Sequence, residues 1–255
     1  MKDQELVIGL PTISPTIGLC ETCVLGKMNR QKFPKDKATR ATQPLQLVHS
    51  DLMGPFLTKS LGGASYVLTF IDDYSRMIFG YFLEHKDETF DKFKEFKAMV
   101  ENQTNFRIKM LRSDNGGEYT SNEFNAYCIK YGIKRQFTIP YTPQQNGVAE
   151  WKNRTIQEMA RCMMGNLPSF LWGEAMNTAI YTLNRCPTKA VEGKTPYEAW
   201  TGKKPSISHL RVFGCDAYAF VHPEKRKKMD KRFKKCIFVG YDNQHRGYRL
   251  YQPSS

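Results

Sequence analysis

The segments LRSDNGGE (residues 111–118) and YTPQQNGVAE (residues 141–150) carry the strongest signal in this 255-residue chain. The first ends a predicted strand at Asp114, and the second is a polar loop leading into a predicted helix that bears Glu150. A third acid, Asp51, interrupts the apolar stretch LQLVHSDL, although Asp opposes strand formation. Such a local conflict is typical of a functional position. These three acids therefore form the candidate site.

The chemistry of three converging carboxylates indicates a metal site. Carboxylates that meet in a folded protein repel one another unless a cation neutralises them. Mg²⁺, or Mn²⁺ in its place, prefers such hard oxygen ligands. Two ions about 3.5–4 Å apart can activate an attacking oxygen and stabilise the leaving oxygen of a phosphodiester. The sequence thus predicts that Asp51, Asp114 and Glu150 are catalytic and bind two Mg²⁺ or Mn²⁺ ions.

The order of the apolar patterns predicts an α/β fold. Strands are predicted over residues 45–52, 66–71, 77–83, 107–114 and 133–139, and helices over residues 87–101, 122–131, 146–164 and 170–184. This order describes a mixed five-stranded sheet flanked by helices on both faces. The first and fourth strands are predicted to be neighbours, which brings Asp51 and Asp114 together. The following helix then supplies Glu150. Farther on, short strands over residues 210–214, 217–221, 236–241 and 247–251 predict a small β-barrel.

The net charge of +13 is concentrated at the two ends of the chain. Residues 203–255 hold 13 Lys or Arg against 4 Asp or Glu, a balance of +9, whereas residues 46–202 hold 18 against 17. Such ends favour a polyanionic partner over a merely solvated surface. Six side chains near the acids are candidate DNA contacts, although loop ordering or a solvated helix face would also explain them. They are Asn115, Gln145, Asn146, Lys152, Arg154 and Arg161.

Cys20 and Cys23 form a Cys-x-x-Cys pair in the first 45 residues, a spacing that suits half of a zinc site. The five histidines all lie downstream at unsuitable spacing, so a zinc remnant and a pair of inert thiols remain alternative interpretations. The seven cysteines are an odd number, which favours reduced thiols. No apolar run is long enough to cross a bilayer, and the first residues lack a signal-peptide pattern.

Six segments together resemble the integrase region of copia-type long-terminal-repeat retrotransposons. They are VHSDLMGP (48–55), TFIDDYSR (69–76), LRSDNGGE (111–118), YTPQQNGVAE (141–150), PYEAW (196–200) and IFVGY (237–241). The resemblance implies a ribonuclease H-like integrase core of the DDE type over residues 46–202, including trailing helices. It also implies a basic SH3-like β-barrel over residues 203–255. Residues 1–45 resemble the end of a zinc-binding pre-integrase segment plus a basic linker.

The resemblance also implies a function. It predicts a polynucleotidyl transferase, with endonuclease activity as well, that joins the 3′ ends of element cDNA to target DNA. The implied partner is double-stranded DNA, bound by a homo-oligomer that reaches the nucleus through a cytoplasmic particle, with no membrane or small-molecule substrate. Two departures, Trp151 in place of an expected Arg and the missing His pair, suggest a fragment or a decayed copy. A non-catalytic nucleic-acid-binding remnant and a ribonuclease H-like nuclease therefore remain alternatives.

Overall fold

The computed structural model describes residues 40–138, 146–242 and 247–253. Five strands form one sheet in the order β3-β2-β1-β4-β5. They are β1 (Val48–Met53), β2 (Tyr66–Asp72), β3 (Ile78–Leu83), β4 (Met110–Ser113) and β5 (Lys134–Phe137). β2 is antiparallel to β1 and β3, whereas β4 is parallel to β1 and β5. The predicted mixed sheet is confirmed, with its first and fourth strands side by side.

Five α-helices accompany the strands in the described residues. They are α1 (Thr89–Thr104), α2 (Asn122–Lys130), α3 (Gly147–Met164), α4 (Trp172–Arg185) and α5 (Pro196–Thr201). α1 ends where Asn105 adopts the left-handed conformation with φ of 58°. α2 begins at the N-cap Ser121, whose side chain accepts a hydrogen bond from the Phe124 N–H. None of these helices is long and apolar enough to cross a membrane.

Strand alternation divides the apolar side chains between two cores, one on each face of the sheet. On one face Phe70 packs with α1 and α2, and its ring stacks on Phe96 with the centroids 4.3 Å apart. On the other face Met53 packs with α3 and α4, together with Ile156 and Ile180. Asp51 is two residues from Met53 on β1, so its side chain projects toward α3 and α4.

Asp72 ends β2, Asp73 begins the turn to β3, and both side chains are buried. Asp73 Oδ1 accepts hydrogen bonds from His49 Nε2 at 2.8 Å and Arg76 Nη1 at 3.0 Å, while Oδ2 accepts one from the Ala41 N–H at 2.8 Å. Burial alone would raise the pKa of Asp73, but these partners hold it at about 2. These two acids therefore anchor the turn instead of joining the candidate site.

The C-terminal part is a three-stranded antiparallel sheet in the order β6-β7-β8. The strands are β6 (Asp216–Phe220), β7 (Phe233–Asp242) and β8 (Gly247–Tyr251). The predicted strand over residues 210–214 is wrong, because its backbone groups find other partners. The Arg211 N–H donates to the Tyr241 hydroxyl at 2.9 Å, and Gly214, with φ of +82°, donates to the Phe238 carbonyl at 2.8 Å.

The C-terminal sheet packs directly on α4. A Cβ at Gly240 would lie 2.8 Å from Thr178 Oγ1, so only glycine allows this approach of β7 to the helix. Arg249 Nη2 of β8 forms an ion pair with Glu174 Oε1 of α4 at 2.6 Å. Val239 of β7 joins the apolar cluster of α3 and α4. The sheet and the helices thus share one core.

Candidate active site

Asp51 and Asp114 lie on neighbouring parallel strands. The register of β1 and β4 pairs His49 with Arg112, and continuing it by two residues places Asp51 level with Asp114, just beyond the end of β4. The chain turns sharply there, because Asp114 Oδ1 accepts a hydrogen bond from the Gly116 N–H at 3.2 Å. The two carboxylates therefore meet at one level of the sheet.

Glu150 comes to the same place from α3. The helix begins at Gly147 and packs over β1 and β2 through its buried face, which includes Ala149 and Ile156. Glu150 lies in the first turn, where the helix dipole favours an anion, and its side chain is exposed. The acid can therefore be approached from solvent.

The three carboxylates interact electrostatically. Desolvation, together with the charges of Asp114 and Glu150, raises the pKa of Asp51 to about 6, although the hydrogen bond from Asn153 lowers it. Partial desolvation and the charge of Asp114 also raise the pKa of Glu150, whereas Arg154 lowers it. A nearby like charge disfavours the charged form of a carboxyl group in this way. Asp51, Asp114 and Glu150 thus lie within electrostatic reach of one another, and the three are called the acidic cluster below.

The donor set of this cluster fits a hard divalent cation, since all its ligands are carboxylate oxygens. Over residues 40–138, 146–242 and 247–253, however, no three His, Cys, Asp or Glu side chains are close enough to hold one ion in common. Mg²⁺ or Mn²⁺ held by these three acids would supply positive charge that offsets the carboxylates.

The predicted site residues did not include Asn153, which touches the cluster directly. Its Nδ2 donates to Asp51 Oδ2 at 2.7 Å, and the side chain is only 3% exposed. A signal was present in the sequence, because Asn153 interrupts the apolar positions Ala149, Ile156 and Ala160 on the buried face of α3. A polar residue at such a position needs a hydrogen-bonding partner.

The predicted DNA contacts near the start of α3 differ in their exposure. Asn115 is exposed next to Asp114, where it can meet a ligand. Asn146 is buried instead, and its Nδ2 donates to the Ser50 carbonyl at 3.4 Å, a contact that orders the start of the helix. Gln145 lies outside the described residues, as do Cys20 and Cys23.

The cationic side chains of α3 lie on two different sides of the helix. Arg154 and Arg161 follow Glu150 by four and eleven residues, so they lie on the same side of the helix as Glu150. Both side chains are exposed. Lys152 is half-buried on the opposite side, where burial and the charge of Arg76 lower its pKa. Trp151, which replaces the expected Arg, is 64% exposed. Among the cationic side chains of α3, Arg154 and Arg161 are therefore the two that lie on the Glu150 side of the helix.

Comparison with known proteins identifies two domains in the chain. Residues 41–143 match the integrase core domain family, and residues 215–255 match the retroviral polymerase SH3-like domain. The chain thus contains an integrase core domain followed by a retroviral polymerase SH3-like domain.

Among its relatives are plant copia-type Pol polyproteins. The chain is 48% identical over 93% of its length to the retrovirus-related Pol polyprotein from transposon TNT 1-94 of Nicotiana tabacum. It is 33% identical over 91% of its length to that from transposon RE2 of Arabidopsis thaliana. The chain spans less than a fifth of either polyprotein, 18% and 16% respectively.

A solved structure shows the same architecture. The simian T-cell lymphotropic virus intasome in complex with PP2A regulatory subunit B56 gamma contains a chain that aligns with a TM-score of 0.57 and 17% identity. The alignment covers 92% of this chain and 88% of that chain. At this identity the likeness concerns the fold. It confirms the predicted ribonuclease H-like core, and the family match confirms the SH3-like domain.

Proposed function

We propose that the chain is a metal-dependent DNA strand transferase that joins the 3′ ends of element cDNA to target DNA. The observation that carries this proposal is the acidic cluster of Asp51, Asp114 and Glu150, assembled from β1, the end of β4 and α3. A protein does not gather three repelling carboxylates for stability, so their convergence in an integrase core supports a catalytic role. Trimming of the cDNA end would use the same cluster.

The three acids would hold two Mg²⁺ or Mn²⁺ ions. Ions bound there would activate the attacking oxygen and stabilise the leaving oxygen of the phosphodiester. Asp51 is half-buried on rigid β1 and provides the fixed member of the set. Glu150 is exposed in the first turn of α3, so it can adjust as cations and DNA arrive. Asp114 connects the other two, because its charge acts on both.

The partner would be double-stranded DNA, both the element ends and the target. Arg154 and Arg161 are exposed on the Glu150 side of α3, and Asn115 is exposed beside Asp114, so these side chains would contact phosphates. The +9 balance of residues 203–255 would add salt-dependent affinity without sequence preference. Because two DNA ends must meet one target, the protein would act as a homo-oligomer on DNA, within the nucleus.

A strand-joining assay tests the proposal. Purified protein is given a DNA end with a free 3′ hydroxyl, a supercoiled plasmid and Mg²⁺, and the joined product is measured. Glu150→Gln should abolish joining and leave DNA retention within about threefold, because one neutralised side chain barely changes the phosphate contacts. Glu158→Gln removes an exposed acid elsewhere on α3 and should join as the wild type does. Nicked plasmid alone would indicate a nuclease, and DNA retention without any cleavage would indicate a non-catalytic binder.

A further inference from the structure

Thr69 is the cross-strand neighbour of Asp51. The antiparallel register of β1 and β2 pairs Asp51 with Thr69, so both side chains project from the same face of the sheet toward α3. Thr69 is fully buried there. Asn153, three residues after Glu150 on α3, lies over both of them. A buried threonine and a buried asparagine thus stand directly behind one acid of the cluster.

These side chains form a directed chain of hydrogen bonds. Thr69 Oγ1 donates to Asn153 Oδ1 at 2.9 Å, and Asn153 Nδ2 donates to Asp51 Oδ2 at 2.7 Å. The alternative acceptor for the Thr69 hydroxyl, the Asp51 carbonyl oxygen, is farther away at 3.3 Å. A carboxylate can only accept, and an amide oxygen can only accept. The Thr69 hydroxyl therefore turns the amide nitrogen of Asn153 toward Asp51.

We propose that Thr69 and Asn153 are positioning residues that hold the Asp51 carboxylate in its metal-binding orientation. The inference rests on the proposed function, because it assigns these residues to the cation site of that function. Asp114 and Glu150 repel Asp51, and a free carboxylate would rotate away from them. The hydrogen bond from Asn153 engages Oδ2 and opposes that rotation. Lone pairs of the carboxylate remain available to a cation.

A merely structural role would look different, and the chain contains a matched control for it. Asn184 on α4 is 4% exposed, close to the 3% of Asn153. Its amide also makes two buried hydrogen bonds, accepting from the Ile78 N–H at 2.9 Å and donating to the Ile78 carbonyl at 2.8 Å. Asn184→Ala therefore removes a comparable pair of bonds but leaves Asp51 untouched.

The test measures cation binding without DNA. Free Mn²⁺ is titrated against each protein and followed by electron paramagnetic resonance, and thermal denaturation confirms that each variant is folded. Asn153→Ala and Thr69→Val should weaken Mn²⁺ binding about 10–100-fold, the usual effect of losing a group that orients a metal ligand. Thr69→Ser keeps the hydroxyl and should restore binding to within about threefold of the wild type. Asn184→Ala should bind Mn²⁺ as the wild type does.

Each remaining outcome separates this inference from the proposed function. If Thr69→Val and Asn153→Ala bind Mn²⁺ normally while Glu150→Gln does not, the positioning role is refuted and the strand-transfer proposal stands. If Asn184→Ala loses binding as strongly as Asn153→Ala, the effect is a general loss of stability, which also refutes it. If the wild-type protein itself fails to bind Mn²⁺, both proposals are wrong.

Discussion

Replacing Asp51 with Asn should stabilise the metal-free protein at neutral pH, although it destroys the proposed site. The pKa of Asp51 is raised from an ordinary 3.8 to about 6, mainly by desolvation. The folded state therefore binds the proton more tightly than the unfolded chain does. Stability falls as the pH rises from about 4 to about 6, and the penalty is complete above that range. Asn resembles the protonated acid and carries no charge, so it avoids the free-energy cost of burying a charged carboxylate.

The magnitude follows from the pKa of Asp51. A rise of about two pKa units corresponds to nearly 3 kcal/mol between the charged and neutral forms. Because the half-buried Asp51 side chain is still partly screened by water, we expect a somewhat smaller gain, about 2 kcal/mol, for Asp51→Asn at pH 7.5. For a chain of this size that gain corresponds to a rise in Tm of about 4–8 °C. Little change is expected near pH 4, where the wild-type acid is largely protonated.

Thermal denaturation in the presence of EDTA, at pH 7.5 and near pH 4, measures this difference. Asp91→Asn is the control, because Asp91 is an exposed acid of α1 paired only with Lys94 at the surface. Its effect should stay below about 1 kcal/mol at either pH. A Tm of Asp51→Asn that equals or falls below the wild-type value at pH 7.5 would refute the raised pKa of Asp51 as a source of instability.

Three further outcomes are expected. Asp73→Ala should lower the free energy of unfolding by about 3–5 kcal/mol, because Arg76 stays buried without its carboxylate. Since the pKa of Asp73 is about 2, wild-type stability should also fall as the pH drops from about 4 toward 2, and urea titrations at several pH values test both statements. Gly240→Val should cost about 2 kcal/mol or more, because its Cβ would meet Thr178 at a φ of +138°, and faster proteolysis between α5 and β6 would reveal the loosened sheet. Saturating Mg²⁺ should stabilise the wild type by about 2–3 kcal/mol but not Glu150→Gln, as scanning fluorimetry can measure.

Local patterns were sufficient to predict the main sheet. The apolar run of β2 and the helical spacing of Phe93, Phe96 and Val100 in α1 each determine one element by burial. The segment LRVFG over residues 210–214 has an equally strand-like pattern but is irregular. The conformation of this segment depends on the left-handed backbone of Gly214 and on a hydrogen bond to the distant Tyr241 hydroxyl. A local pattern of apolar residues predicts neither of them.

The candidate site was predictable only in part. The acids could be recognised by residue type and spacing, and their clustering follows from β1 and β4 being neighbours. The contact of Asn153 with Asp51 depends on how α3 lies across the sheet, which the sequence does not contain. The position of Lys152 on the side of α3 opposite Glu150 could be predicted from the sequence, because a residue two positions later points about 200° away around a helix. Its DNA contact stays a prediction.

The docking of β7 on α4 links the C-terminal sheet to the candidate active site in a way that matters for protein engineering. Val239 of β7 and Ile156 of α3 belong to one apolar cluster, and α3 carries Glu150. Cutting the chain after residue 202 would uncover this cluster and loosen the helix that supplies an acid. Low activity of such a shortened protein would then result partly from the loosened helix α3, and not only from the loss of the basic surface. Point substitutions are therefore better suited than truncation to separate the contribution of the integrase core from that of the C-terminal sheet.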